Sequence, residues 1–258
     1  MTTQDPTTRF DDRAADYAKA RPGYPDAIVA LLRDECGLRD GTRVADLGSG
    51  TGIFTRLLLD AGAEVFAVEP NDEMRSVSER QLGDRARFHS VNGRSEATTL
   101  PTESVELVTA AQAFHWFDIE RTRREMRRVL RPEGQAVLVW NDRDTGGTAF
   151  HRAIEALLVE QCPSYRALQG KADVPTAFDA VFGPDGWSRR FLPNEQELDR
   201  EGFVARFMST SYAPKPATAA AAAFVRALET IFDAHADPAG VVRITYATVV
   251  VWGRPSAA

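Results

Sequence analysis

The chain has almost no cysteine, no long apolar run and no surplus of positive charge, and each shortage removes a class of function. Only 2 cysteines, Cys36 and Cys162, occur in 258 residues. They share no CxxC spacing and have no histidine near them in sequence, so they predict reduced structural thiols in a cytoplasmic protein and no metal site. No stretch approaches the roughly 20 apolar residues a spanning helix needs, and the opening "MTTQDPTTRFDD" lacks an apolar signal core, which predicts no membrane partner. Lys and Arg total 31 against 37 Asp and Glu, a net charge of -6. Nothing therefore draws the chain as a whole to phosphate backbones, and nucleic acid is not expected as a partner. With 43% hydrophobic residues the chain still holds enough apolar surface for one large domain, or a domain with a cap.

What is present is an alternation. Five short apolar runs, "RVADLG" (43–48), "EVFAVE" (64–69), "ARFHSV" (86–91), "VELVTAA" (105–111) and "QAVLVW" (135–140), are separated by helical patterns. Near-continuous apolar strands between helices predict an α/β fold with a parallel sheet covered on both faces. The clearest helix runs from about Asp118 to Leu130, with Asp118 as N-cap and Pro132 and Gly134 as stop signals. Its six arginines, from Arg121 to Arg131, fall largely on the polar side and read as a solvated face. After Asn141 the pattern loosens into short helices and Pro/Gly turns, until "RITYATVVVWG" (243–253) predicts a closing strand that returns to the sheet. The run Ala219 to Ala223 is a helix former, too short to span a membrane.

The segment "VADLGSGTGIFT" places Gly48, Gly50 and Gly52 between the first strand and its helix. A turn of this kind lets a ligand approach backbone amides at a helix N-terminus, although an ordinary tight turn has the same composition. It is not a dinucleotide fingerprint, since Ile53 stands where G-x-G-x-x-G needs its third glycine, and no Lys-Ser/Thr pair follows to make a P-loop. Glu69, at the end of the second strand, is placed to accept both hydroxyls of an adenosine ribose. Asp46, two positions before the first glycine, would repel a pyrophosphate but suits a ligand with an ammonium and a sulfonium, which points to S-adenosylmethionine (SAM).

Five ordered motifs, "VADLGSGTG", "VFAVEPNDEM", "GRSEATTLP", "VTAAQAFHWFD" and "VLRPEGQAVLVWN", resemble those of class I SAM-dependent methyltransferases. The "QAFHWF" element and the N-terminal "FDDRAADYAKARPGYP" narrow the resemblance to the small-molecule branch (methyltransferase type 11) that includes trans-aconitate methyltransferase-like proteins. The resemblance implies a Rossmann-like, doubly wound sheet of seven strands, mostly parallel with an antiparallel last strand, plus a helical cap. It implies an N-terminal lid over residues 1–25, a SAM-binding core over 26–141, a substrate-cap insertion with late core elements over 142–240, and a closing strand over 241–258.

By the same resemblance, Asp46 lies near the methionine ammonium, Gly48, Ser49, Gly50 and Gly52 pack against the methionine part, and Glu69 with Pro70 holds the ribose. Met74 either flanks the adenine or serves the core. Ser95 and Glu96 edge the adenine; Arg94 stands where many relatives carry an acid, so the Ser95 side chain is the expected substitute there. Ala111 and Gln112 complete the cofactor set, with Tyr17 of the lid toward the methionine end.

For the acceptor, His115 and Trp116 follow the fourth strand, where a doubly wound sheet exposes loop residues to its crevice. Phe114 and Phe117 read as core. His115 is the only one of the 4 histidines placed to act as general base, which a hydroxyl, amine or carbon acceptor requires and a carboxylate does not. His89, His151 and His235 read as structural or solvated. Arg21 is a candidate carboxylate partner, with Tyr24, Asn141 and Arg143 as further substrate-side candidates. The expected function is transfer of a methyl group from SAM to a small organic acceptor, leaving S-adenosylhomocysteine (SAH). The alternative is a SAM-binding protein without transferase activity, regulatory or cyclase-like.

Overall fold

The computed structural model describes residues 21–165 and 175–257. Helix α1 (Ala27–Glu35) leads into β1 (Arg43–Leu47), α2 (Ile53–Asp60), β2 (Glu64–Val68), α3 (Asp72–Leu82), β3 (Phe88–Val91) and β4 (Val105–Ala111). A short 3-10 turn (Phe114–Trp116), α4 (Ile119–Val129) and β5 (Leu130–Arg143) follow. Beyond them come α5 (Ala149–Gln161), α6 (Pro175–Phe182), β6 (Trp187–Leu198), α7 (Arg200–Met208), α8 (Ala219–His235) and β7 (Val242–Gly253).

The strands form one sheet in the order β3-β2-β1-β4-β5-β7-β6. Strands β1 to β5 pair in parallel, and β7 runs antiparallel to both its neighbours. The α/β sheet with an antiparallel last strand is thus the one expected. Chain order reverses between β1 and β4, and open sheets of this type bind ligands at that switch point, outside the strand C-termini.

Successive strand residues point to opposite faces, and the core divides accordingly. Val44, Val65, Leu107 and Val137 pack with α1 and α2 on one side. Ala45, Val108, Ala136 and Leu138 pack with α4 and α6 on the other. A third apolar cluster joins α5, α7 and α8 to the start of β7 through Phe150, Phe203, Phe224, Phe232, Ile244 and Tyr246. This helical layer stands over the same end of the sheet as the switch point, because antiparallel β7 starts where β5 ends.

Two expectations need correction. The segment 187–198, expected among loose helices and turns, is the long edge strand β6. An edge strand has one solvated side and tolerates Pro193 and charged side chains, so "WSRRFLPNEQEL" carries no apolar run to betray it. Pro132 and Gly134 do not stop the preceding helix: α4 already ends at Val129, Leu130 is extended, and both residues lie inside β5. The pairing shifts register there, between Val105 and Leu107. Of the α4 arginines, Arg121, Arg124 and Arg127 are exposed as expected, but Arg123 is buried, bonding Glu120 and the Ser256 carbonyl.

Candidate functional site

A cleft of about 1210 Å³, counting its open mouth, lies over the C-terminal ends of β1, β2, β4 and β5. Its floor is the glycine turn. Gly48, Gly50 and Gly52 all take left-handed backbone, with φ of 64°, 57° and 85°, which side chains other than glycine adopt at a cost. Their surroundings separate their jobs. A Cβ on Gly48 would sit 2.6 Å from the Ala113 Cβ, and one on Gly52 2.7 Å from Leu82 Cδ1, so these two let the chain pack closely. A Cβ on Gly50 would meet nothing within 4 Å; Gly50 leaves backbone open to the cleft, which it lines with Ser49, Thr51 and Ile53 at the start of α2.

Two buried carboxylates reach this floor. Asp46, 1% exposed, accepts hydrogen bonds from the Thr55 hydroxyl at 2.7 Å and the Thr109 hydroxyl at 2.8 Å, one on each oxygen. Burial pushes its carboxyl up to about 6, against the pull of both hydroxyls, and the negative Glu69 adds to the rise. Glu69 accepts from the Gly50 and Asn71 amides, each at 2.9 Å. Burial raises its pKa as well, opposed by those amides and by Arg75. Each carboxylate oxygen keeps acceptor capacity beyond the single bond shown. Two desolvated acids facing one cavity favour a cationic, hydroxyl-bearing occupant.

The far wall of this half is Pro70, Asn71 and Met74 from the start of α3, with Arg94, Ser95 and Glu96. The Asn71 side chain caps α3 by accepting from the Met74 amide. Ser95 accepts from the Thr122 hydroxyl at 3.2 Å, and Glu96 from the Asp118 amide at 3.1 Å. The other half is lined by Arg21, Pro22, Tyr24, Ala111, Gln112, Ala113, Trp116, Phe117, Asn141 and Arg206. Gln112 carries a φ of 58°, a strained value for a side-chain-bearing residue, of the kind that collects at ligand sites.

Residues 45–138 match the family model described as "Methyltransferase domain". An uncharacterized methyltransferase-like protein of Schizosaccharomyces pombe is 40% identical over 139 residues, 52% of each chain. An uncharacterized methyltransferase of Mycobacterium tuberculosis is 38% identical over 141 residues, 55% of each chain. Residues 45–138 are thus similar to methyltransferase domains. The chain spans about half the length of the curated relatives it matches. Among solved structures, a protein of Anaeromyxobacter dehalogenans assigned as a type II methyltransferase shares the fold with a TM-score of 0.67 at 23% identity, over 91% of this chain and 97% of that one. An N-methyltransferase of Haemonchus contortus in complex with phosphomonomethylethanolamine and SAH does so with a TM-score of 0.57 at 14% identity, over 98% of this chain and 59% of that one.

The geometry of the cleft by itself suits SAM. The Ser49 and Thr51 hydroxyls are buried in the glycine turn with no hydrogen-bond partner among the described residues, and buried polar atoms left so need a ligand or water. Gly50 leaves room beside them, and the acids suit SAM's ammonium, sulfonium and ribose. The cleft brings together Asp46, Gly48, Ser49, Gly50, Glu69, Pro70, Met74, Ser95, Glu96, Ala111 and Gln112, the residues predicted for the cofactor side, and Arg21, Tyr24, Trp116 and Asn141 from those predicted for the acceptor side.

Several expectations are not met at the cleft. Gly52 is absent from its lining and packs on Leu82 instead. Arg143 is turned into an ion pair with Glu155 at 2.6 Å and a bond to the Tyr165 hydroxyl at 3.1 Å. His115 does not line the cleft; its ring lies against Trp116 with centroids 4.7 Å apart. A 3-10 turn rotates each residue by roughly 120°, so Phe114 faces the core, Trp116 the cleft and His115 a third direction. Phe117, read as core, lines the cleft while also packing on the core. Tyr17 lies outside the described residues. His89 bonds Glu64 at 2.9 Å, and His151 is buried beside Thr148, both structural as expected. Among the described residues, no three His, Cys, Asp or Glu cluster to hold a metal, and no helix is long and apolar enough to cross a membrane. Sequence reasoning missed Arg206, which nothing in the local pattern of α7 marks as a cleft residue.

Proposed function

We propose that this protein transfers the methyl group of SAM to a small organic acceptor, a small acid or natural-product-like intermediate first among them. The single observation that carries the reading is the cleft itself: desolvated Asp46 and Glu69 at one end, open backbone at Gly50, and an aromatic and basic chamber at the other. The likeness of "QAFHWF" and the N-terminal segment to trans-aconitate methyltransferase-like proteins supports a small acid. We also read residues 1–25 as a lid, 26–141 as the SAM-binding core, 142–240 as cap and late core, and 241–258 as the closing strand, in a cytoplasmic protein.

Bound there, SAM would supply an activated methyl group, with the acceptor's electron pair bonding the methyl carbon and the pair of the broken carbon–sulfur bond left on sulfur. Asp46 would hold the ammonium and Glu69 the ribose hydroxyls, with the Gly50 and Asn71 amides fixing the Glu69 carboxylate in place. Trp116, Phe117 and Tyr24 exclude water and align the acceptor, which is the main requirement for an in-line transfer. A carboxylate acceptor gives up no proton. A hydroxyl or amine must, and His115 reaches that proton only if its ring moves from where it packs beside Trp116.

Purified protein should gain thermal stability with SAH by mass action and release SAH from SAM with a small-acid acceptor. Glu69→Ala should weaken SAH binding roughly 10-fold to 100-fold, since hydrogen bonds to charged groups contribute about 1.5–3 kcal/mol. Unaltered SAH binding in that variant rejects the ribose assignment. Binding without any SAH release across acceptors supports the non-catalytic alternative.

A further inference from the structure

Asn141, expected on the acceptor side, directs its side chain at the protein itself. Its Nδ2 donates to the Gly23 carbonyl at 3.0 Å, and its Oδ1 accepts from the Thr248 hydroxyl at 2.6 Å and from the Asn194 Nδ2 at 3.1 Å. Asn194 also donates to the Gly23 carbonyl, again at 3.0 Å. One backbone oxygen thus receives two amide donors, one from β5 and one from the edge strand β6, and both of its lone pairs are used.

The sheet register explains why these residues meet. Residues two apart on a strand share a face, so Asn141 follows Val139 on β5, Thr248 precedes Val250 on β7, and Asn194 follows Leu192 on β6. Val139, Val250 and Leu192 all pack in the core that α1 covers. Asn141 pairs with Thr248, and Thr248 with Leu192. Three apolar columns therefore turn polar side by side, at the place where the chain leading into α1 passes over them.

What the two asparagines hold is a wall of the cleft. Pro22 and Tyr24, on either side of Gly23, both line it. Proline fixes φ at residues 22 and 25, which leaves Gly23 as the pliant point of the stretch. The clamped oxygen belongs to the planar peptide that also carries the Tyr24 nitrogen and Cα. Holding it therefore sets where the Tyr24 ring stands. That ring meets Phe54 edge-on with centroids 4.9 Å apart, and Phe54 lines the cleft at the start of α2, next to the glycine turn. Asn194 is not among the lining residues, and β6 lies four strand spacings from β1, about 19 Å at ~4.8 Å per strand.

We propose that Asn194 is a positioning residue for cofactor binding: with Asn141 it clamps the Gly23 carbonyl, and so holds Pro22 and Tyr24 against the amino-acid half of the cofactor and slows its release. The assignment rests on the methyltransferase reading above. Asn141 lines the cleft and can touch a ligand directly, whereas Asn194 acts only through the clamp. Asn194 is therefore the residue to change.

The test uses the full chain with two probes, SAH and 5′-methylthioadenosine, which carries the adenosine half and lacks the amino acid. Affinity is read by calorimetry and release by stopped-flow tryptophan fluorescence, since Trp116 lines the cleft. Asn194→Asp keeps the side-chain shape, cannot donate, and sets a negative charge against the Gly23 and Asn141 oxygens. In this variant SAH should bind roughly 3-fold to 10-fold more weakly, the range expected for lost amide–carbonyl bonds. The loss should appear as faster release, and 5′-methylthioadenosine should bind as it does to wild type.

Unchanged SAH binding in Asn194→Asp, or the same factor of weakening for both probes, overturns the proposal and leaves Asn194 as a tie between β6 and the start of the chain. Wild type that binds no SAH overturns the methyltransferase reading, and the proposal with it. If Asn194→Asp does not fold, Asn194→Ala decides by the same comparison: weakening of SAH alone supports the clamp, and equal behaviour of the two probes overturns it.

Discussion

Replacing Asp46 by Asn should make the ligand-free protein more stable and leave it nearly unable to hold its cofactor. The Asp46 carboxyl has an ordinary value of 3.8 and is pushed up to about 6 by burial. The native state therefore binds this proton more tightly than the unfolded chain. The stabilisation tied to the proton is complete below pH 3.8 and is lost as pH rises through about 6. About two pKa units at ~1.36 kcal/mol each put the cost of the buried charge at about 3 kcal/mol above that window. Asn keeps the shape and can still bond the Thr55 and Thr109 hydroxyls, so Asp46→Asn should recover about 1–3 kcal/mol at pH 7.5. The gap should close as pH falls toward 4. Urea denaturation of both proteins at pH 4.5, 6 and 7.5 measures it. On the proposed role of Asp46, saturating SAH should then reverse the order at pH 7.5, because a ligand at 100 times its Kd stabilises by about 2.7 kcal/mol and only the aspartate would pair with the ammonium. Wild-type affinity for SAH should fall about tenfold from pH 7 to pH 5 as the carboxylate protonates. A ligand-free Asn variant less stable than wild type at pH 7.5, by an amount that does not change with pH, refutes the reasoning and makes Asp46 an ordinary structural hub of its two threonines.

The glycines should separate by role. Gly50→Ala, whose Cβ meets nothing within 4 Å, should cost only about 1–2 kcal/mol of backbone strain but weaken SAH more than tenfold in calorimetry, whereas Gly48→Ala, driven to 2.6 Å from Ala113, should lower the melting temperature whether or not SAH is present. Equal behaviour of the two variants contradicts the division. For His115→Gln, turnover of a small acid should stay within a few-fold of wild type with a flat profile from pH 6 to 9, because a carboxylate needs no base; a loss in the roughly 10²–10⁴-fold range of a missing general base, with wild-type rate rising through a histidine-like pKa, would show that His115 swings into the chamber.

The sequence by itself determined what is local. A strand, a glycine turn and a helix start lie within Val44 to Thr55, so their composition predicts the strand–turn–helix unit that the structure shows, and the acid before the turn is the buried Asp46. Glu69 is legible for the same reason, since it ends the next strand at a fixed distance along a βαβ unit. What only the tertiary structure decided depends on contacts between distant segments. Arg206 enters the cleft because α7 docks on β7, and its bond to Tyr246 and the approach of Arg21 to Ser209 span separations that no spacing rule reads. Arg143 was misplaced because it lies two residues beyond Asn141, about 6.6 Å farther along the strand, where α5 presents Glu155 to capture it. His115 and Trp116 are adjacent in sequence and separated in role by the rotation of one 3-10 turn. Strand β6 was hidden because an edge strand is selected by the partner it finds, here β7 along its whole length, and not by an apolar pattern of its own.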